Sequence, residues 1–152
     1  KKITAPRNVP LIINDRIDIC LAADADGVHL GQKDLPCREA RKILGNDKII
    51  GVSAALPEEA RQAQADGADY LGVGAIFATG TKSDTRPVTP EIICKIRTAV
   101  SIPFVVIGGV NAENIGKLYG LGINGAAVVS AVVAQNDITA AARTMRKAAQ
   151  GL

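Results

Sequence analysis

Residues 48–77 read KIIGVSAALPEEARQAQADGADYLGVGAIF, with two apolar runs on either side of a helical segment. The apolar residues of each run are continuous rather than alternating, which is typical of parallel strands covered on both faces. The helical segment follows Pro57, and the ADG at 65–67 ends it, since glycine suits the left-handed residue that stops a helix. A strand, a helix and a second strand with such short connections predict a parallel α/β sheet.

The same alternation recurs along the whole chain. The predicted strands are PLIIND (10–15), GVHLG (27–31), KIIGVS (48–53), DYLGVGAIF (69–77), IPFVVIGGV (102–110) and GAAVVSAVV (125–133). The predicted helices run from Asp15 into LAADA, after Pro36, after Pro57, from Thr89-Pro90, through NAENIGKLYGLG and through NDITAAARTMRKAAQ. Thr89 is the expected N-cap of its helix, because proline follows it at the first helical position.

Two layouts of a parallel sheet compete, and the residues after the strands favour one of them. A doubly wound sheet would carry G-x-G-x-x-G after its first strand, and the sequence has none there. In a (β/α)8 TIM barrel, the functional residues come from the carboxyl ends of many strands. Here every predicted strand ends in polar or glycine residues, namely Asn14-Asp15, Gln32 to Asp34, Ser53, Thr79 to Lys82, Gly108-Gly109 and Ser130.

We therefore predict an α/β TIM barrel with about six of the eight strand–helix units of that fold. The prediction is a single barrel domain over residues 1–152, N-terminally incomplete. Either two N-terminal units are missing from this chain or another chain supplies them. The first interpretation is favoured because residues 1–8 resemble the tail of a helix that leads into PLIIND.

Composition limits the classes of function. Of 152 residues, 47% are apolar, 22% are charged and only 3% are aromatic, with no tryptophan and a net charge of +3. No apolar run approaches a membrane span of about 20 residues, and the scarcity of aromatic rings argues against nucleic-acid binding. Cys20, Cys37 and Cys94 lack the C-x-x-C spacing of zinc and redox sites. We expect a cytoplasmic protein, and a homo-oligomer stays open.

Two carboxylates follow neighbouring predicted strands. Asn14-Asp15 ends the first, where a cap of the following helix is the alternative use, and Asp34 lies in the loop GQKDLP after the second. The carboxyl ends of adjacent strands share one rim of a barrel, so both side chains should converge there. Such a pair suits Mg²⁺, which takes one or two carboxylates and leaves other positions to water and substrate phosphate. An acid/base pair is the competing use.

The last strands carry candidate phosphate contacts. IGGVN at 107–111 runs through Gly108-Gly109 to a predicted helix start near Asn111, where bare amide groups bind phosphate. A tight turn is the alternative use of two glycines. Ser130 ends the last predicted strand, and in barrels the loops after the last two strands often build a phosphate site. The loop ATGTKSDTRPVT at 78–89 is unusually long for this chain, and loops of that kind are functional or disordered.

His29 is the only histidine and lies inside GVHLG. A lone histidine between valine and leucine is more often a hydrogen-bonded structural residue than a base. We therefore predict a structural role for His29, and the sequence offers no Ser/His/Asp or Cys/His arrangement.

Six motifs together resemble the thiamine-phosphate synthase family over nearly the whole chain: LIINDR, ADGVHLGQKD, IIGVS, DYLGVGAIFATGTK, IPFVVIGGV and GAAVVSAV. The resemblance implies a barrel transferase that joins hydroxymethylpyrimidine pyrophosphate to thiazole phosphate, giving thiamine phosphate and pyrophosphate. It assigns Mg²⁺ to Asp15 and Asp34, and the leaving pyrophosphate to Asn14 and to Lys82, the catalytic residue. It also assigns the pyrimidine substrate to Ser53, and the thiazole phosphate to Thr79, Gly80, Thr81, Gly109, Val129 and Ser130.

Departures from the family pattern keep two alternatives open. The Gln-x-Arg-x-x-Lys strand of the family is absent from this sequence, and Ala75 stands where proline is usual. One alternative is a non-catalytic or regulatory relative, tautomerase-like, that binds a phosphorylated ligand without the front half of the site. The thiazole tautomerases carry a histidine after the position of Ser53, and Ala54 stands there instead. The other alternative is a phosphate-binding barrel isomerase.

Overall fold

The computed structural model describes residues 1–78 and 87–152, and within these ranges it contains one parallel sheet of six strands. The strands are β1 (Ile12–Asn14), β2 (Gly27–Leu30), β3 (Ile49–Ala54), β4 (Tyr70–Val73), β5 (Phe104–Ile107) and β6 (Gly125–Ala127). Each strand pairs in parallel with the next one along the chain, so the order in the sheet is the order in the sequence.

This strand order confirms the barrel prediction over the doubly wound alternative. A doubly wound sheet reverses its order at a switch point, whereas a (β/α) barrel adds each new strand beside the last. In the described sheet all six strands follow one another in sequence order without a reversal. The sheet and the helices between its strands therefore form a half-barrel.

Six α-helices connect or follow the described strands. They are α1 (Ile17–Ala22), α2 (Cys37–Leu44), α3 (Pro57–Ala65), α4 (Pro90–Ala99), α5 (Ser130–Val133) and α6 (Ile138–Ala148). Short 3₁₀ helices lie at Ala5–Arg7, Ile115–Leu118 and Ala149–Gly151. None of the helices in the described ranges is long and apolar enough to cross a membrane.

The predicted start of α4 is confirmed. Thr89 has extended backbone angles, its Oγ1 accepts a hydrogen bond from the amide of Ile92 at 3.4 Å, and Pro90 is the first helical residue. The side chain thus satisfies one of the amides that a helix start leaves without an intrahelical partner. Ile93 and Ile96 on the inner side of α4 are completely buried.

Two predicted elements are corrected. The run GAAVVSAVV is strand only over Gly125–Ala127, and Ser130–Val133 is the helix α5. A continuous apolar run does not distinguish a buried strand from a short helix, because neither period is visible in it. NAENIGKLYGLG forms only the 3₁₀ helix Ile115–Leu118. Gly116, Gly120 and Gly122 weaken an α-helix there, since glycine has a low helix propensity.

The two faces of the sheet differ. Alternate strand residues face the helices and are at most 6% exposed: Val28, Leu30, Ile50, Val52, Leu71, Val73, Phe104 and Val106. The residues between them point to the inner face, where glycine is frequent and the larger side chains are only partly buried. The apolar core therefore lies between sheet and helices, and the inner face carries polar groups toward the carboxyl ends of the strands.

Candidate functional site at the carboxyl edge of the sheet

The described candidate residues follow the strands at one edge of the sheet. Because all strands are parallel and paired in order, the residues near the ends of β1, β2, β3, β5 and β6 share this edge: Asn14-Asp15, Asp34, Ser53, Gly109 and Val129-Ser130. The predicted metal residues Asp15 and Asp34 thus follow the neighbouring strands β1 and β2. Of the predicted phosphate residues, the described ones (Gly109, Val129 and Ser130) follow the neighbouring strands β5 and β6.

The main chain of Asp15 is hydrogen-bonded to the neighbouring strand. Its amide donates to the carbonyl of His29 at 2.8 Å, which continues the β1–β2 ladder by one residue beyond Asn14. The N-cap of α1 is Arg16, whose side chain makes no capping hydrogen bond, so Asp15 lies one residue before the cap position. The backbone of Asp15 has φ +64°, a left-handed conformation that aspartate tolerates better than most residues. The side-chain Oδ1 is buried.

Asp34 closes a tight loop directly after β2. The amide of Gly31 donates to Asp34 Oδ2 at 2.6 Å, and the amide of Asp34 donates to the carbonyl of Gly31 at 3.2 Å. These two bonds fix the carboxylate at the end of β2, one strand away from Asp15. Two carboxylates therefore follow neighbouring strand ends at this corner of the edge.

Ser53 is held from two directions on the inner face. Its Oγ lies 3.0 Å from Nε2 of His29, and its carbonyl accepts a hydrogen bond from Nε2 of Gln32 at 2.6 Å. The other ring nitrogen of His29, Nδ1, lies 3.0 Å from the hydroxyl of Tyr70. The predicted structural role of His29 agrees with these hydrogen bonds. Burial raises the pKa of the Tyr70 phenol above its usual value.

The chain after β4 runs along the end of β5. The amide of Ile76 donates to the carbonyl of Ile107, and the amide of Phe77 donates to the carbonyl of Gly108, both at 3.0 Å. Gly108 and Gly109 have φ of +97° and +64°. A Cβ on Gly109 would lie 2.6 Å from the carbonyl oxygen of Ala78, closer than real Cβ atoms come. Glycine is therefore required for Ala78 to approach so closely.

The turn at Asn111 does not offer the amides that the sequence predicts for phosphate. Oδ1 of Asn111 accepts the amides of Glu113 and Asn114, both at 3.0 Å, and Oδ1 of Asn114 accepts the amide of Asn111 at 2.9 Å. Side chains thus occupy these three donors, and no α-helix begins there among the described residues. Of the predicted phosphate residues after β5, Gly109 precedes this turn and stays a candidate.

The residues after β6 form a helix start instead of a strand end. Val129 is the N-cap of α5 and is 49% exposed, and the exposed Ser130 is the first residue of that helix. A short extra helix after the last strands is a frequent phosphate site in barrels, because its first amides have no intrahelical partner. The corrected secondary structure therefore fits the predicted role of Val129 and Ser130 better than a strand does.

Thr79, Gly80, Thr81 and Lys82 lie outside the described residues, and their roles stay predictions. The described chain reaches Ala78 beside Gly109 and continues at Pro87. Ala78, the last described residue before this run, therefore lies at the end of β5.

Three residues at the site were not predicted from sequence to bind substrate or metal. Tyr70 and His29 form hydrogen bonds on the inner face, and Gln32 binds the main chain of Ser53. The motif GVHLG contained one signal for the orientation of His29. Val28 and Leu30 on either side of it are apolar, and alternate residues of a strand share a face. That parity places the histidine on the face opposite to the apolar core.

Three comparisons relate the chain to known proteins. A family described as thiamine monophosphate synthase matches residues 1–132. The chain is 53% identical to thiamine-phosphate synthase of Clostridium beijerinckii over 96% of its own length and 70% of the relative's. It is 59% identical to thiamine-phosphate synthase of Ruminiclostridium cellulolyticum, covering 95% and 69% of the two chains.

Solved structures agree with these sequence matches. Thiamine phosphate pyrophosphorylase from Pyrococcus furiosus superimposes with a TM-score of 0.89 and 40% identity, over 97% of this chain and 70% of that one. A 3-hexulose-6-phosphate synthase superimposes with a TM-score of 0.64 at 22% identity, over 88% and 66% of the two chains. The latter similarity concerns the fold alone.

Proposed function

The chain belongs to the thiamine monophosphate synthase family, and from that membership we propose how its carboxyl edge works. The chain is a transferase that joins hydroxymethylpyrimidine pyrophosphate to thiazole phosphate, giving thiamine phosphate and pyrophosphate. Relatives more than 50% identical carry the synthase name, which favours this function over a non-catalytic relative. A cytoplasmic location and a homo-oligomeric state stay predictions.

One observation carries the assignment of the site to this reaction. The described edge has two carboxylates at the ends of β1 and β2, Ser53 on β3, and glycine and serine contacts after β5 and β6. Two different phosphorylated substrates need two separate binding regions, one for the pyrophosphate and one for the thiazole phosphate. We assign these two regions to opposite sides of Ser53, because the carboxylates and the glycine and serine residues lie on opposite sides of β3.

The carboxylates fit a magnesium ion bound together with pyrophosphate. Mg²⁺ usually combines one or two protein carboxylates with water and substrate phosphate oxygens. Asp15 and Asp34 supply that number from adjacent strand ends. Within residues 1–78 and 87–152 no group of three or more histidine, cysteine, aspartate or glutamate side chains is placed to hold a metal.

The reaction needs charge stabilisation rather than a general base. The bond between the pyrimidine methylene carbon and the pyrophosphate oxygen breaks, the electron pair leaves with pyrophosphate, and the thiazole nitrogen bonds to that carbon. Asn14 and Lys82 contact the departing pyrophosphate, and Ser53 contacts the pyrimidine substrate. When bound at Asp15 and Asp34, Mg²⁺ would neutralise charge that develops on the leaving group, which is electrostatic catalysis.

Gly109, Val129 and Ser130 bind the thiazole phosphate together with the loop residues Thr79, Gly80 and Thr81. The described support for this step is the close approach of Ala78 to Gly109, because it starts the loop at the phosphate side of the edge. The phosphate then holds the thiazole ring on the side of β5 and β6, facing the pyrimidine above β3.

The function is tested by measuring whether the purified full-length protein forms thiamine phosphate. The role of Asp15 as a metal residue is tested with the variant Asp15→Asn. Asparagine also tolerates a left-handed backbone, so the local conformation is retained while one charge is lost. We expect turnover to fall at least about 100-fold, as for loss of one electrostatic contact in a transition state. The Mg²⁺ concentration for half-maximal activity should rise.

Asp18→Asn is the matched control, because Asp18 is an exposed carboxylate on α1 that pairs with Arg16. We expect its turnover to equal that of the unchanged protein. If Asp15→Asn is as active as Asp18→Asn at every Mg²⁺ concentration, Asp15 is not a metal residue. Absence of thiamine phosphate with the unchanged full-length protein would refute the function itself.

A further inference from the structure

We propose that Tyr70, His29 and Ser53 form one hydrogen-bonded relay that makes the Ser53 hydroxyl a fixed donor to the pyrimidine pyrophosphate. The proposal rests on the function given above, in which Ser53 contacts that substrate. Tyr70 and His29 are then positioning residues, because they act on the substrate through Ser53.

The geometry of the relay spans three adjacent strands. The hydroxyl of Tyr70 on β4 lies 3.0 Å from Nδ1 of His29 on β2, and Nε2 of His29 lies 3.0 Å from Oγ of Ser53 on β3. The rings of His29 and Tyr70 lie against each other with centroids 5.5 Å apart at 41°. Both ring nitrogens are engaged, so a flip of the imidazole would break two hydrogen bonds at once.

Two glycines provide the space for the relay. A Cβ on Gly51 would lie 2.1 Å from Cζ of Tyr70, and a Cβ on Gly72 would lie 2.8 Å from Cε1 of His29. Both distances are shorter than real Cβ contacts, so any side chain at either position would displace a ring. Glycine inside a strand weakens it and often marks the close approach of another group. Here the approaching groups are the two relay rings.

The direction of the protons follows from the tyrosine. Burial raises the pKa of the Tyr70 phenol, so the hydroxyl is protonated at neutral pH. In the described part of the chain, His29 Nδ1 is the one hydrogen-bond partner of the Tyr70 hydroxyl, and donation there satisfies its proton. Nδ1 is then the acceptor, the proton of the neutral imidazole is on Nε2, and Nε2 donates to Ser53.

A serine hydroxyl that accepts from His29 directs its own proton elsewhere. The main chain of Ser53 is also held in place, because Gln32 donates to its carbonyl at 2.6 Å. The relay and Gln32 together leave the hydroxyl as a donor toward the open inner face. The matching group on the substrate is a hydrogen-bond acceptor, either a ring nitrogen of the pyrimidine or an oxygen of its pyrophosphate.

Tyr70→Phe in the full-length protein is the first test, because it removes one hydroxyl and retains the ring. We expect the KM for pyrimidine pyrophosphate to rise about 5- to 10-fold, the effect of one lost hydrogen bond. The KM for thiazole phosphate and the midpoint of urea unfolding should change little. Tyr119→Phe is the matched control, since the Tyr119 hydroxyl donates to Ala148 away from this edge, and it should leave both KM values unchanged.

A double-mutant cycle separates positioning from a structural effect. If Tyr70 acts through Ser53, Tyr70→Phe has no further effect on KM in the Ser53→Ala background. Additive effects, or an equal rise in the KM for both substrates, would overturn the relay. Should Tyr70→Phe fail to fold, His29→Gln and His29→Ala replace it. Glutamine offers an amide donor near the position of Nε2, so it should retain a lower KM than alanine, and equal values would overturn the relay.

Inhibition by the two halves of the pyrimidine substrate, pyrophosphate and hydroxymethylpyrimidine, identifies the acceptor. Weaker inhibition of Tyr70→Phe by inorganic pyrophosphate with Mg²⁺ places the acceptor on the pyrophosphate. Weaker inhibition by hydroxymethylpyrimidine places it on the ring. If neither affinity changes, the relay does not act on this substrate. Synthesis of thiamine phosphate by the unchanged protein supports the proposed function whichever result the variants give.

Discussion

Replacing Gly109 by alanine tests whether the approach of the β4 loop to the end of β5 builds the thiazole phosphate site. The added Cβ would lie 2.6 Å from the carbonyl oxygen of Ala78 and 2.9 Å from Cβ of Phe77. One of these atoms belongs to the backbone, so a change of rotamer cannot relieve the contact. The chain at Ala78 must move, and it leads directly into the run Thr79 to Lys82.

The expected magnitude has two parts. Alanine at φ +64° costs about 1–2 kcal/mol relative to an unstrained backbone, because its Cβ crowds the neighbouring carbonyl. Displacement of the loop endangers the hydrogen bond from Phe77 to Gly108, which contributes about 1 kcal/mol. The free energy of unfolding should therefore fall by about 2–3 kcal/mol. A displacement of about 1 Å at a binding group lowers kcat/KM on the order of 100-fold.

Gly120→Ala is the matched control for the cost of placing alanine at a positive φ. Gly120 has φ +78°, and a Cβ there would meet no atom within 4 Å. Its unfolding free energy should fall by about 1–2 kcal/mol for the same conformational reason, without any effect on turnover. The difference between the two variants therefore isolates the contact with the loop.

The assay combines urea unfolding with steady-state kinetics in which each substrate is varied while the other is saturating. The reasoning requires the KM for thiazole phosphate to rise in Gly109→Ala and not in Gly120→Ala. Equal kinetic constants in the two variants would show that the position of Ala78 does not control the phosphate site.

Two other predictions concern the loop and helix α4. Lys82→Ala should abolish turnover while circular dichroism shows an intact fold, because the proposed role of the lysine is to neutralise the leaving pyrophosphate; unchanged turnover would refute that role. Thr89→Ala should lower the free energy of unfolding by about 1 kcal/mol through loss of the N-cap, with no effect on turnover. Thr98 on the same helix caps no amide, because its hydroxyl donates to the carbonyl of Lys95. Thr98→Ala should therefore leave the free energy of unfolding nearly unchanged in the same urea titration, and an equal loss of stability in both variants would contradict the capping argument.

The arrangement of strands was predictable because it depends on local patterns. Six apolar runs with helical segments between them indicate parallel pairing of successive strands, and Thr89-Pro90 marks a helix start without knowledge of distant residues. The limits of β6 were not predictable in the same way. VVSAVV contains no period, and whether it continues as a strand or turns into α5 depends on tertiary contacts rather than on local preference.

The site was partly predictable for a related reason. Residues that follow strands share an edge in any parallel sheet, so Asp15 and Asp34 could be placed near each other from sequence. The relay could not, because His29 lies 24 residues from Ser53 and 41 from Tyr70 along the chain. To recognise the relay, one must know which residues of three strands share a face and that Gly51 and Gly72 leave space for the two rings, and the sequence shows neither.

The order of the strands gives the proposed reaction a direction across the site. Both substrates are anionic, and like charges repel strongly where water is excluded, so their phosphates must be kept apart. Carboxylates that suit a metal lie at β1 and β2, whereas the neutral glycine and serine contacts lie after β5 and β6. In the proposed reaction the pyrophosphate therefore leaves toward the first strands, and the thiazole nitrogen approaches from the last. Ser53 lies between them on β3, and we propose that its hydroxyl, fixed by His29, holds the pyrimidine substrate while the bond to pyrophosphate breaks.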